Sequence, residues 1–193
     1  ATVVAFALYG TNRLVVAGVL NATLGLLLQQ ELGDHIQIRG RSTGVATLTG
    51  SALGLATLIA MASAPALGTL SDRTSNRWKV VAGGLAASVA GFALLTIGTP
   101  WAILVAIPLT ALGSGGNQSL ATTLIGETGR GGEQSKRLGA LFTVGDLGSA
   151  IGPPLAYALI PLMGLKGNYL ISACLLLAML VAALCLASTT SDE

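Results

Sequence analysis

Long apolar runs separated by short polar segments dominate the sequence. A membrane-spanning helix needs about 20 mostly apolar residues, and we place such runs at about 3–29, 44–69, 79–98, 100–126, 138–163 and 167–188. The runs do not alternate apolar and polar residues as barrel strands do, whereas helices satisfy their own backbone hydrogen bonds in lipid. The pattern therefore predicts an all-α membrane protein, with residues 1–193 forming a single domain of six transmembrane helices.

The composition agrees with this pattern. Charged residues make up only 9 % of the chain and apolar residues 52 %, whereas a soluble domain carries about 25 % charged residues. The lipid bilayer is therefore the expected surroundings, and the net charge of +2 is too small and scattered to favour nucleic acid. Glu31, Asp34 and His35 lack the spacing of a metal site, so we expect a solvated loop there, no metal and no cofactor.

Basic residues are distributed unevenly between the predicted loops. One side of the membrane holds six and the other three: Arg73, Arg77, Lys79, Arg130, Lys136 and Arg137 against Arg39, Arg41 and Lys166. Cytoplasmic loops carry the excess of Lys and Arg. We therefore expect a multi-pass protein of the cell (inner) membrane with both termini in the cytoplasm.

Residues 68–79, GTLSDRTSNRWK, concentrate charge between the second and third predicted helices. Gly68, Asp72, Arg73 and Arg77 resemble the cytoplasmic signature loop of the major facilitator superfamily, although Ser-Asn at 75–76 replaces its later Gly-Arg. The resemblance implies a conformational latch, with the aspartate bonded to arginine or to helix-terminal N–H groups. A basic loop that only fixes orientation is the alternative, but an acidic residue contributes little to orientation.

The fifth predicted helix carries a second resemblance to this family. Gly139, Gly148, Gly152 and Pro153 follow the spacing G-x8-G-x3-G-P of its fifth-helix antiporter motif, although Ala-Tyr at 156–157 replaces the terminal glycine pair. Small residues four apart allow close helix contact, and a proline frees a backbone carbonyl where a helix can bend. Ordinary small-residue packing is the alternative explanation.

Together these motifs imply that the chain is one half of a twelve-helix fold. The half is built as two inverted three-helix repeats. The fourth helix, PLTALGSGGNQSL, lacks the arginine of the family's N-terminal half, and KRLGALFTVGDLGSAIGPP resembles the eleventh helix, so the chain most resembles the C-terminal half. The resemblance implies secondary active transport of a small-molecule substrate by alternating access, not an enzyme. The implied partner is the other six-helix half, in the same gene product, a separate chain or a second copy.

Polar residues inside the predicted spans mark a candidate site. An ionisable group in hydrocarbon costs about 2.5–3.5 kcal/mol, yet Arg13 and Asp146 lie in spans, accompanied by Asn12, Asn117 and Gln118. At about 1.5 Å per residue, Arg13, Asn117 and Asp146 each lie about 13–16 Å from the cytoplasmic face, near the midplane. They predict a substrate or coupling site built by the first, fourth and fifth helices, with both charged groups facing the bundle interior. A structural Arg13–Asp146 pair that locks two helices together is the alternative.

Glycines in two further helices are open to two explanations. Gly113, Gly115 and Gly116 in the fourth helix indicate either close helix packing or a local break that aims backbone groups at a ligand. Gly50 and Gly54 in the second helix predict another closely packed face.

Two other classes of function compete with transport. An intramembrane serine protease needs a G-x-S-G turn and a histidine in a span, but Leu112 precedes Ser114 at the first Gly position and His35 lies in a loop. A non-transporting scaffold or assembly subunit derived from a half-transporter remains an alternative. The sequence has no nucleotide-binding loop, so transport driven by a gradient is preferred to transport driven by ATP.

Overall fold

A computed structural model describes residues 1–38, 41–74, 76–128 and 132–189 of the chain. Arg39, Ser75 and Arg130, which enter the sequence argument about the loops, lie outside these residues. The described chain is helical except for one short hairpin. Its helical stretches are α1 (Thr2–Leu32), α2 (Val45–Arg73), α3 (Arg77–Ile97), α4 (Pro100–Thr128) and α5 (Gly132–Thr189).

The hairpin joins α1 to α2. Strands β1 (His35–Ile38) and β2 (Arg41–Gly44) pair antiparallel, with His35 opposite Gly44. Part of the polar segment expected to be a solvated loop is therefore a hairpin. Isoleucines alternate with polar residues at 35–38, a period that suits a short strand with one face in water.

The last helical stretch is interrupted once. Gly164 has φ 72° and ψ 177°, a conformation that glycine adopts readily and other residues avoid. We call residues 132–163 α5a and residues 165–189 α5b. The Asn168 side chain in α5b donates a hydrogen bond from Nδ2 to the carbonyl oxygen of Ala156 in α5a, at 3.1 Å. The two arms therefore fold back on each other.

Length and hydropathy identify four candidate membrane spans among the described residues: Thr2–Leu32, Val45–Arg73, Arg77–Ile97 and Glu133–Thr189. The last of these contains both arms of α5. The stretch α4 is not among the four, because its middle carries the polar sequence GSGGNQS. The chain is thus an assembly of long apolar helices, while the count of six spans and their repeat arrangement stay predictions.

Close helix crossings hold this assembly together at glycines. Gly18 of α1 lies directly against Gly152 of α5a, and Gly148 lies against the carbonyl oxygen of Gly10. In α4, Gly113 faces α3 at Gly84, and Gly115 faces α2 at the carbonyl oxygen of Ala60. Positive φ values occur in the described residues at Gly33, Gly98 and Gly164, so the α4 glycines serve packing and not a break.

Other glycines singled out in the sequence have no such neighbour. At Gly50, Gly54, Gly68 and Gly139, a Cβ would have nothing within 4 Å. The close packing expected at Gly50 and Gly54 is therefore absent within the described chain, because their helix faces point away from the other helices, while the roles of Gly68 and Gly139 stay predictions. Helical φ and ψ continue through Pro153, and the bend expected there stays a prediction.

Apolar faces of α2, α4, α5a and α5b are exposed among the described residues. Large apolar side chains on α2 are exposed, among them Leu55, Leu58 and Met61, and so are Leu147 and Ile151 on α5a. The core lies on the opposite side, around side chains such as Leu27, Phe92 and Tyr169. The hydroxyl groups of Thr23 and Tyr169 share a buried hydrogen bond of 2.9 Å, which ties α1 to α5b.

Candidate functional site

A cavity of about 530 Å³ lies between α1, α2 and α4. This volume falls within the range of about 300–1,000 Å³ typical of small-molecule sites. Apolar side chains form most of the wall, and polar groups interrupt it at a few points. The polar residues of the lining include Arg13, Asn21, Thr57, Ser114, Gln118, Ser119 and Thr122. The cavity can therefore enclose a small solute and offer it one cation together with hydroxyl and amide groups.

The wall from α1 has an unusual backbone. Residues Arg13–Leu20 form a π-helix within α1, and such segments are rare and frequent at functional sites. Arg13, Val16, Ala17 and Leu20 all face the cavity, at the three- and four-residue spacing that places side chains on one helix face. No periodicity in the sequence indicates this segment, and Gly18, at the crossing with Gly152, is the feature nearest to a signal.

Asn12 links α1 to α4 beside the cavity. Its Oδ1 accepts a hydrogen bond from Ser114 Oγ at 2.8 Å and another from Gln118 Nε2 at 3.3 Å. Gln118 Nε2 also donates to Ser114 Oγ at 3.0 Å. Asn12 is fully buried, so its role is to hold Ser114 and Gln118 in the cavity wall. Sequence reasoning selected Asn12 and Gln118 but missed Ser114, although the four-residue spacing from 114 to 118 places both on one helix face.

The structure brings Arg13 and Asp146 together. Arg13 Nη2 and Asp146 Oδ1 are 3.5 Å apart, and their side chains are 29 % and 77 % exposed. Within this chain Asp146 lies on an exposed face, so the expectation that it faces the bundle interior stays a prediction. The adjacent Gly145 faces α1, against Tyr9 and Arg13. The next residue lies about 100° further around the helix, so the carboxylate reaches Arg13 from the exposed side.

Asn117 lies apart from the other candidate residues. Its side chain is fully buried, and its amide lies against Gly84 of α3. Adjacent helical positions point about 100° apart, so Gln118 faces the cavity while Asn117 faces α3. The helices that line the cavity also differ from the prediction, because α2 contributes a wall and α5a does not. The small residues Ala56, Ala60 and Ala64, spaced four apart on α2, are the signal that sequence reasoning missed.

The charged loop between α2 and α3 forms a network with α4. Arg77 Nη1 lies 2.7 Å from Glu127 Oε1, and Arg77 Nη2 lies 3.6 Å from Asp72 Oδ1. Asn76 caps α3 by accepting a hydrogen bond from the backbone N–H of Trp78, and its Nδ2 donates to the carbonyl oxygen of Ala187 at 2.6 Å. The loop thus connects the ends of α2, α3, α4 and α5b.

Of the predicted loop residues, Asp72 and Arg77 take part in this network. Arg73 is exposed, and Gly68 faces open space. Sequence reasoning missed Glu127, although an acidic residue at the end of α4 next to a basic loop was a usable signal. The network joins two carboxylates through one guanidinium, which is the arrangement of a charge clamp between helix ends.

Comparison with known proteins assigns this architecture to a family. No curated protein matches the chain. The family model described as Major Facilitator Superfamily matches residues 3–193. Members of this family are transporters and not enzymes, and the apolar helices make the chain a membrane protein. The chain belongs to the Major Facilitator Superfamily.

Proposed function

We propose that the chain is half of a secondary active transporter that moves a small solute by alternating access. The observation that carries this proposal is the cavity between α1, α2 and α4, with Arg13 and Gln118 in a mainly apolar wall. A half-open cavity of this kind beside exposed apolar helix faces suits a substrate site shared between two halves. Family membership does not favour the alternative of a non-transporting scaffold.

The proposed architecture has six spans arranged as two inverted three-helix repeats. The interruption at Gly164 supports a division of α5 into two spans, because its arms fold back on each other. The exposed apolar faces of α2 and α5a support a second six-helix half packed against them. That half belongs to the same gene product, a separate chain or a second copy.

The Arg13–Asp146 pair is the proposed coupling element. Arg13 lines the cavity, and Asp146 is bonded to it from the face where we place the other half. A substrate group that binds Arg13, or a proton that binds Asp146, weakens the ion pair between the two residues. Occupancy of the cavity is thereby linked to the second half. The alternative, a purely structural pair, makes a different prediction, which the Discussion develops.

Filling the cavity should stop transport. Thr57 lines the cavity from α2, while Leu104 of α4 is 57 % exposed and lies outside the lining. We expect Thr57→Trp to abolish solute uptake, because the indole occupies the space that the solute needs. The measurement is uptake of a panel of labelled small solutes into proteoliposomes under an imposed proton or sodium gradient.

The matched control is Leu104→Trp, which adds the same bulk on α4, outside the lining and away from the α2 and α5a faces, and should retain most of the uptake. Uptake that persists in Thr57→Trp would exclude this cavity as the substrate site. A panel without any flux for the wild-type protein, even together with its other half, would favour the scaffold.

Breaking the charge network should impair transport without preventing insertion. Asp72 bonds to Arg77 at the end of α2, and it has little effect on orientation. We expect Asp72→Asn to lower the uptake rate several-fold while the amount of protein in the membrane stays constant, because the clamp between helix ends loses one carboxylate. Wild-type uptake in this variant would refute the latch role.

We place the protein in the inner membrane of the cell, with both termini in the cytoplasm. This orientation rests on the six-to-three distribution of basic residues in the sequence. We therefore expect a cysteine or protease site added at either end to react only after the membrane is permeabilised. Reaction in intact cells would contradict the orientation.

A further inference from the structure

A second groove lies on the outside of the helix assembly, between α2 and α3. Its volume is about 340 Å³, and α4 forms its floor at Leu112. Leu67 and Leu70 of α2 and Val80 and Gly83 of α3 form its apolar sides. Leu70 and Leu112 are partly exposed there, at 52 % and 39 %, so the groove opens away from the core. It is separate from the proposed substrate cavity, with which it shares no lining residue.

The groove starts at one end of the helices and stops within the apolar region. Thr74 and Lys79 line its mouth, beside the connection between α2 and α3. From Thr74 to Leu67 along α2 the distance is about 10 Å at 1.5 Å per residue. One leaflet contributes about half of a 30 Å hydrocarbon core. The groove therefore covers most of the depth of a single leaflet, as a site for an acyl chain requires.

Positive charge is left over at the mouth of the groove. Arg77 forms ion pairs with both nearby carboxylates, those of Asp72 and Glu127. In the part of the chain that the structure describes, Arg73 and Lys79 form no ion pair, and both are exposed. Arg73 and Lys79 thus stand there without an ion-pair partner, and the three cations and two carboxylates at the mouth give it a net charge of +1 at the depth of the lipid headgroups.

We propose that this groove binds one phospholipid with an anionic headgroup. The acyl chain lies between α2 and α3, and the headgroup phosphate pairs with the Lys79 ammonium, with Arg73 adding to the attraction. Basic pockets between transmembrane helices bind acidic lipid headgroups through the same combination of apolar contact and charge. A neutral zwitterionic lipid fits the apolar part equally well but carries no net charge for the two cations to attract.

A missing side chain keeps the groove open. At Gly83 a Cβ would have nothing within 4 Å, whereas at the adjacent Gly84 it would collide with Asn117. A leucine at position 83 therefore fills the groove without displacing any described neighbour. This gives a substitution that removes the lipid site and leaves the helix packing intact.

Native mass spectrometry of the full-length gene product in mild detergent tests the proposal. The probes are phosphatidylglycerol and phosphatidylcholine with identical acyl chains, added at equal concentration. We expect the wild-type protein to retain phosphatidylglycerol preferentially as a single saturable adduct. Lys79→Gln should lower that preference about fivefold, the effect of one basic residue near an acidic membrane surface. Gly83→Leu should remove the saturable adduct of both lipids.

Matched variants separate this site from general effects. Lys136→Gln removes an exposed charge elsewhere, and Gly54→Leu adds the same side chain at an open position on α2 outside the groove. Both should bind lipid as the wild type does. Equal retention of the two lipids, or a Gly83→Leu variant that keeps the adduct while eluting as a folded species, would overturn the proposal. Failure here leaves the transport proposal untouched, because no residue of the substrate cavity is changed.

Discussion

Replacing Gly152 with valine should remove most of the folded protein. A Cβ at this position would lie 2.7 Å from the carbonyl oxygen of Leu14 and even closer to the Cα of Gly18. Both obstacles are backbone atoms of α1, which cannot rotate away as a side chain can. Overpacking costs about 1–3 kcal/mol and occasionally more, against a total stability of about 5–15 kcal/mol. The measurement is the monodisperse fraction after extraction in mild detergent, together with its melting temperature.

The same motif supplies the control. Gly139→Val makes the identical change in the same helix, but a Cβ at Gly139 meets nothing within 4 Å. We expect this variant to keep a melting temperature close to that of the wild type. Equal losses in the two variants would show that valine harms α5a through its own helix and not through the crossing with α1. Equal retention would show that the crossing can open at little cost.

This pair of glycines also shows how far the sequence predicts the packing. The spacing of Gly139, Gly148 and Gly152 indicated a small-residue face, and two of the three lie at the crossing with α1. The sequence could not distinguish the third, because a glycine that faces a neighbouring helix and one that faces open space have the same spacing. Contact depends on where two helices cross, and that is decided by residues of the other helix, here Gly10 and Gly18.

The candidate site was predictable only in part, because the sequence again did not show which way each side chain faces. Arg13, Asn12 and Gln118 were found because polar residues in an apolar helix are costly and therefore conspicuous. The rotation of each helix was not visible in the same way, so Asn117 was placed in the site although it faces α3. The π-helix at Arg13–Leu20 changes the rotation of α1 halfway along its length. No feature of the sequence indicates a π-helix there, and α2 went unnoticed because its wall is made of small residues.

Removing the carboxylate of Asp146 should reduce transport more than it reduces stability in the isolated chain. The ion pair with Arg13 is long, at 3.5 Å, and the Asp146 side chain is 77 % exposed. An exposed pair contributes about 0–1 kcal/mol. Loss of the pair nevertheless leaves Arg13 without its counter-charge in the cavity wall, where an unpaired arginine costs up to about 2.5–3.5 kcal/mol. We expect Asp146→Asn to lower uptake about tenfold or more, which the proteoliposome assay measures.

A surface pair of similar geometry provides the control. Glu133 and Arg137 are 3.4 Å apart, and the Glu133 side chain is 71 % exposed. Glu133→Gln is expected to change neither uptake nor melting temperature appreciably, because an exposed pair four residues apart on a helix contributes only about 0.3–0.5 kcal/mol. A loss of uptake as large as that in Asp146→Asn would mean that any reduction of negative charge on α5a impairs the protein.

The double variant, Arg13→Gln with Asp146→Asn, distinguishes the two roles of the pair. Recovery of both stability and uptake identifies a structural pair, because two neutral amides then suffice. Recovery of stability without uptake identifies a functional pair, because the charges themselves are needed. The loss of stability in the single variant Asp146→Asn also shows whether the other half covers Asp146. A loss of about 3–5 kcal/mol in the complete protein, typical of a broken buried pair, requires that the second half covers Asp146, whereas a loss below about 1 kcal/mol leaves that face exposed.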